Sequence, residues 1–361
     1  MRKIPIVYNP KISKFDFGKG HPFRGGRFDS FMKLFHRIGL DKNPLFEIIE
    51  PKTAEENDLE IVHDREYIEL VKDLEKHGGF LSMDTHITPG MFEAAKLIVG
   101  AAMTAGKLVM TDKYDIAITF GGFHHAGVAN GEGFCVFNDV AITAKMLLDH
   151  YKIKRILIID TDAHQGNGTM DIFYDDPRVL FISIHQDPRT LYPGRGFIYE
   201  TGIRAGKGYT VNIPMPMFAG NEQYMYALKE VFIPLAKEFQ PKVIIRNGGS
   251  DPHYADELTQ LGLDLNGLNM VGKIVRRAVD ETSKKLIDMT VSGYGDLTPY
   301  GWLAVIAGVS GLSIDFEDIL SKEGQIESPL KKLDDDSLQL KIRETVEALK
   351  KELKTYWRCF R

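Results

Sequence analysis

Residues 155–168 read RILIIDTDAHQGNG. Ile156, Leu157, Ile158 and Ile159 follow one another without alternation, as in a strand whose two faces are both covered. The chain then turns abruptly polar, with Asp160, Asp162 and His164, and the glycines Gly166 and Gly168 close the stretch. Apolar strand first and polar, glycine-rich turn second is the pattern of a parallel sheet, where sites form beyond the carboxyl ends of strands. Six more strand-like runs flank this one: Ile4–Tyr8, Asp115–Phe120, Val179–Ile184, Tyr209–Ile213, Lys242–Arg246 and Leu286–Val291. Between them lie helix-length segments, Met91–Met110, Asn138–Tyr151, Asn221–Phe239, Leu268–Lys284 and Trp302–Val309. Thr88-Pro89 is expected to cap the first of these with proline at its first helical position, and Pro299 starts the last. Strand and helix in alternation predict an α/β fold with a mainly parallel sheet flanked by helices.

Five of these strands end in chemistry-bearing residues. Gly121-Gly122-Phe123-His124-His125 follows one, and the segment from Asp160 to Gly168 follows another. His185 ends a third, Asn247-Gly248-Gly249-Ser250-Asp251 a fourth, and Ser292-Gly293-Tyr294-Gly295 a fifth. All five are therefore expected at one rim of the sheet. Each feature also has a plainer reading taken singly. Asp162 could cap a helix, Asp251 could serve a turn, and Tyr294 could be a packed aromatic. Together they are complementary. Asp162, His164 and Asp251 make three N/O ligands with a position left open, which is how catalytic zinc is held, and without a nearby thiolate Fe2+ is also chemically acceptable.

Composition narrows the classes. Lys plus Arg number 45 against 50 Asp plus Glu, a net charge of −5, which argues against a general nucleic-acid binder. The hydrophobic 43 % and charged 26 % are those of an ordinary soluble domain, and 361 residues allow one large domain or two. Cys135 and Cys359 form neither a disulfide framework nor a metal knuckle, so a cytoplasmic setting is the simplest expectation. Neither a signal peptide nor a membrane span is expected, since Pro5 interrupts the basic start and no apolar run is long enough. From about Ser321 the chain becomes charged, and Asp334–Asp336 followed by Leu338–Tyr356 predicts a solvated helix docked on the main body.

The segments GGFHHAGVANGEGFCVFNDVA (121–141), IIDTDAHQGNGT (158–169), FISIHQDPRTLYPGRG (181–196), RNGGSDPHYADELTQLGL (246–263) and SGYG (292–295) resemble the histone deacetylase superfamily. The opening GHPFRGGRF (20–28) is similar to that of bacterial members, and the acetoin-utilisation branch is the nearest in character. The resemblance runs in family order from about Ile4 to Leu312. It implies the arginase–deacetylase fold, a single α/β domain over residues 1–320, with 321–361 as a helical extension. By position it makes Asp162, His164 and Asp251 the ligands of Zn2+, or of Fe2+. It makes His125 the general base and His124 its partner, Asp160 the carboxylate on His124, and Asn167 the group contacting His125. Tyr294 becomes the oxyanion donor, and Phe134 and Tyr192 the walls of an acyl-lysine channel, with Gly133 allowing close approach and Asp84 at the rim. Asp160 and Ser183 would lend oxygens to a structural K+. The sequence departs from the family at Gln165, at Ser292-Gly293 in place of a glycine run, and at Tyr192 where Phe is common.

The implied reaction is hydrolysis of an acetylated amine, with protein acetyl-lysine ahead of acetylpolyamine as substrate and no direct nucleic-acid or membrane partner; the oligomeric state is left open. Asp160 should favour charged His124 while Asn167 cannot do the same for His125, leaving His125 neutral as a base. A two-metal ureohydrolase would need further carboxylates where Gln165, Asn167, Pro252 and His253 stand, and a non-enzymatic acyl-lysine reader would lack a ligand, the base or the tyrosine. His21, His36, His63, His77, His86 and His150 are read as surface or structural, and Cys135 as buried packing.

Overall fold

The computed structural model describes residues 2–322, 324–325 and 335–361. Ten strands run in chain order: β1 (Ile4–Val7), β2 (Phe46–Ile49), β3 (Gly79–Ser82), β4 (Thr85–Ile87), β5 (Ile116–Thr119), β6 (Ile156–Asp160), β7 (Val179–Gln186), β8 (Thr210–Met215), β9 (Val243–Gly248) and β10 (Leu286–Thr290). Eight form one sheet in the order β2-β1-β5-β10-β9-β6-β7-β8, and its pairings are parallel throughout. β3 and β4 form a separate antiparallel hairpin. Every residue of β5, β6, β7, β9 and β10 is buried, as strands covered on both faces by crossover helices must be. The result is a single α/β domain around an eight-stranded parallel sheet.

All seven expected strands are present. The unexpected ones are β2, four residues with a half-exposed edge, and the hairpin, which is too short and mixed in polarity to carry a periodic signal. The helix Met91–Val109 starts after Gly90, with Met91 N donating to Thr88 O. Pro89 therefore sits in the turn before the helix and not at its first position. Asn221–Phe239 is helical throughout but widens by a residue at Leu228–Phe232. That widening precedes Pro234, which has no N–H to offer the carbonyl one turn back and whose ring would crowd that carbonyl in a regular turn.

The helix Asp335–Leu353 buries Ile342, Val346, Leu349 and Leu353. Its Lys350 pairs with Glu230 at 2.6 Å, and beyond it Trp357 donates its indole N–H to Gly208 O at 2.7 Å. Asp334 and the residues before it back to 326 lie outside the described residues.

Candidate active site

The strand order β5-β10-β9-β6 brings four sequence-distant strand ends side by side. Beyond them stand His124 and His125, then Tyr294, then Asp251, then Asp160 to His164. The loop after β5 is pinned from behind. The buried carboxylate of Asp139 accepts from Gly122 N at 2.9 Å and Phe123 N at 2.7 Å, and burial raises its pKa to about 6 despite those donors. After β9 the chain passes so near its neighbour that a Cβ on Gly249 would lie 2.0 Å from Ser292 O, so only glycine fits. The fifth strand end does not reach the pocket. His185 is fully buried, bonding Ser183 Oγ at 2.8 Å and Gly196 O at 3.0 Å, and so anchors the loop that carries Tyr192.

Asp162, His164 and Asp251 converge, with ligand atoms all within 4.8 Å of one another. His164 Nδ1 is 3.2 Å from Asp162 Oδ1 and 3.1 Å from Asp251 Oδ2. Burial works against charge on His164, yet the two carboxylates lift its pKa to about 10. Burial and the neighbouring Asp162 lift that of Asp251 to about 7. Two buried carboxylates side by side call for a cation, and the N/O donor set fits a divalent ion. The other oxygen of Asp251 accepts the Ser292 hydroxyl at 2.6 Å. Ser292 itself is held by its carbonyl, which accepts from Trp302 Nε1 at 2.7 Å.

Beside this corner lie the two histidines. His124 Nδ1 is 2.6 Å from Asp160 Oδ2, the two Nε2 atoms are 3.1 Å apart, and His125 Nδ1 is 2.7 Å from Asn167 Oδ1. Burial alone would discharge both rings. For His124 the charges of Asp160 and Asp162 win and push the pKa up to about 9. For His125 burial is reinforced by the positive charge of His124 and His164, and its pKa falls well below the ordinary value. Adjacent rings of one residue type thus differ in charge, His124 positive and His125 neutral.

The pocket wall comes from a tight turn. Gly133 and Phe134 both have positive φ, 57° and 67°. A Cβ at Gly133 would sit 2.4 Å from His125 Cδ2. The β3–β4 hairpin holds this turn from outside, Asp84 Oδ1 accepting from Gly133 N at 3.1 Å and Thr85 Oγ1 from Phe134 N at 2.9 Å. Asp84 Oδ1 also accepts the hydroxyls of Ser82 and Thr85, so this rim carboxylate braces the wall. Phe134 lies 5.9 Å from the Tyr294 ring, and Tyr192 lies 5.1 Å from His125. Tyr294 is 9 % exposed. Its backbone N–H donates to Asp256 at 2.8 Å.

Several contributors went unread in the sequence. Arg27 donates to Val291 O and Gly293 O and lies 4.9 Å from the Tyr294 ring centroid. His21 packs 4.6 Å from Phe134. Glu132 accepts from Asn167 Nδ2 at 2.7 Å. Arg27 and His21 stand inside the quoted GHPFRGGRF, and Glu132 inside GEGF, so the signal was position within a motif and not residue type. His63 and Cys135 are buried, in keeping with structural roles. Asp160 and Ser183 face one another across β6 and β7.

A parallel sheet whose central strand ends gather two carboxylates, a histidine, a histidine pair and a tyrosine is the architecture of the metal-centred deacetylases, and the chain belongs to the histone deacetylase family: residues 21–309 match the family's histone deacetylase domain. Along 99 % of both chains it is 35 % identical to a probable deacetylase of Archaeoglobus fulgidus. It is 32 % identical to the acetoin utilization protein AcuC of Bacillus subtilis, over 86 % of this chain and 83 % of that one. The crystal structure of the HDA15 HD domain shares the fold, with a TM-score of 0.84 at 24 % identity over 99 % of this chain and 98 % of the other. Among the described residues no helix is long and apolar enough to cross a membrane.

Proposed function

We propose that this protein is a metal-dependent deacetylase that hydrolyses the amide of acetylated lysine side chains. The observation that carries the reading is the unequal backing of the paired histidines, carboxylate on His124 and amide on His125, beside a three-ligand corner. Asp162, His164 and Asp251 would hold Zn2+ or Fe2+, which when bound supplies electrophilic polarisation of the amide carbonyl and acidifies a water. His125, neutral and with its Nδ1 hydrogen donated to Asn167, takes the water proton at Nε2. His124 stays charged against Asp160 and favours the developing negative charge. The Tyr294 hydroxyl donates to the oxyanion, and Phe134 with Tyr192 guides a flat, unbranched acyl chain past His125. The amine leaving group takes its proton from the histidine pair.

The direct test is release of acetate from acetyl-lysine peptides and acetylpolyamines by purified protein, stripped by chelation and then restored with Zn2+ or Fe2+. Hydrolysis of peptides in either restored sample and not in the stripped one is the expected result. Preference for acetylpolyamines would move the substrate to small amines, and absence of metal-dependent hydrolysis would overturn the reading. Phe134→Ala should lower kcat/KM roughly tenfold or more, mainly through KM, because a buried aromatic contact is worth about 1.5–3 kcal/mol. An unchanged ratio across all amines would remove Phe134 from the channel. Ser292→Ala should weaken metal binding about 10–100-fold, as loss of a partner that orients a ligand does. Competition against a chromophoric chelator reads that loss directly, and an affinity equal to wild type would make the Ser292–Asp251 bond incidental.

A further inference from the structure

We infer that Glu132 is a positioning residue for the general base, fixing which end of the Asn167 amide meets His125. The inference rests on the assignment of His125 as base.

A carboxamide is two-faced, one end accepting and the other donating. His125 Nδ1 can pair with either end, and the choice sets the tautomer. Paired with the amide oxygen, Nδ1 carries the hydrogen and Nε2 keeps a lone pair. Paired with the amide NH2, Nδ1 must accept, and the hydrogen moves to Nε2, where it disables the base. The 2.7 Å contact from His125 Nδ1 runs to Asn167 Oδ1. Two contacts hold that sense: the charged His124 presents its Nε2–H to His125 Nε2 at 3.1 Å, and on the far side of the amide Glu132 Oε1 is 2.7 Å from Asn167 Nδ2. A carboxylate only accepts, so it claims the NH2 and leaves the oxygen for His125.

Glu132 is itself held. Its carbonyl accepts from Cys135 N at 2.9 Å, closing the turn that also presents Gly133 and Phe134. One four-residue turn therefore supplies both the channel wall and the brace behind the base. The chain Glu132–Asn167–His125 acts through hydrogen-bond polarity, and its members come from positions 7 and 42 residues away from the histidine in sequence.

A double-substitution cycle tests this. Glu132→Ala should cut kcat/KM roughly tenfold, while Glu132→Gln, whose amide oxygen can still accept from Asn167, should retain most of it. With Asn167→Asp already present, no amide remains to be oriented and two carboxylates abut. In that background Glu132→Ala should be neutral or raise the rate. A merely structural glutamate would cost the same in both backgrounds, and that outcome would overturn the inference. The second readout needs no turnover. With histidine-selective 15N labelling, His125 should be Nδ1-protonated in the wild-type protein and a mixture of tautomers in Glu132→Ala. An unchanged tautomer would also overturn the inference. If the wild-type protein hydrolysed no acetylated amine, the reaction assignment would fail on its own, and the tautomer result would still decide the role of Glu132.

Discussion

Asparagine in place of Asp162 should give a folded chain that has lost most of its metal and nearly all of its turnover. The side chain is buried, and its Oδ1 accepts from His164 N at 2.8 Å. Burial disfavours its charge, yet His124 and His164 hold the carboxyl well below the usual range, so the substitution removes a true negative charge. Asn has the same shape and can still accept from His164 N, which protects the local turn. It also relieves Asp251 of a neighbouring charge that helps hold its pKa near 7. The metal-free variant should therefore melt close to the metal-free parent, while metal content by mass spectrometry and acetate release both collapse. Full metal occupancy with normal turnover would remove Asp162 from the ligand set.

Tyr294→Phe should leave metal and fold in place and lower kcat by roughly 10²–10³, about 2.7–4 kcal/mol, the usual consequence of deleting one oxyanion donor. The ring is well supported without its hydroxyl. It packs on Phe134 at 5.9 Å, takes the Arg27 guanidinium at 4.9 Å, and its backbone is tied to Asp256. Burial holds the phenol far above its ordinary pKa, so it remains a donor across the working range. KM should move little, because the bond strengthens only in the transition state. A packed aromatic with no chemical part to play would instead give a modest fall in melting temperature and near-wild-type kcat. That result would leave the oxyanion to some other group.

The central sheet was legible because its strands are apolar on both faces and stop at glycine or a polar residue. β2 and the β3–β4 hairpin were not, because four half-exposed residues carry too short a pattern to separate from a loop. In the site, Asp160 ends a strand and His124, His125, Asp162, His164, Asp251 and Tyr294 follow strand ends, and in a parallel sheet that suffices to bring them together. His185 reads as a strand-end residue, but β7 runs on to Gln186, so it lies within the strand and its side chain turns into the protein. Asp139 and Glu132 were harder to see for a different reason. Asp139 reads as a residue of a helix start, yet its carboxylate serves backbone N–H groups 16 and 17 residues earlier. Glu132 reads as a loop charge, yet it bonds a side chain 35 residues later. Such partners follow no period, and only the folded chain reveals them.

The β3–β4 hairpin lies outside the eight-stranded sheet, yet Gly133 and Phe134 hang from its Asp84 and Thr85. At its tip Met83 stands wholly in solvent. The turn that hangs from this ribbon also carries Glu132, so the ribbon bears on the pocket wall and on the paired histidines together. A change at the ribbon is therefore felt in the wall and in the histidine pair behind it, although the ribbon itself lies outside the central sheet.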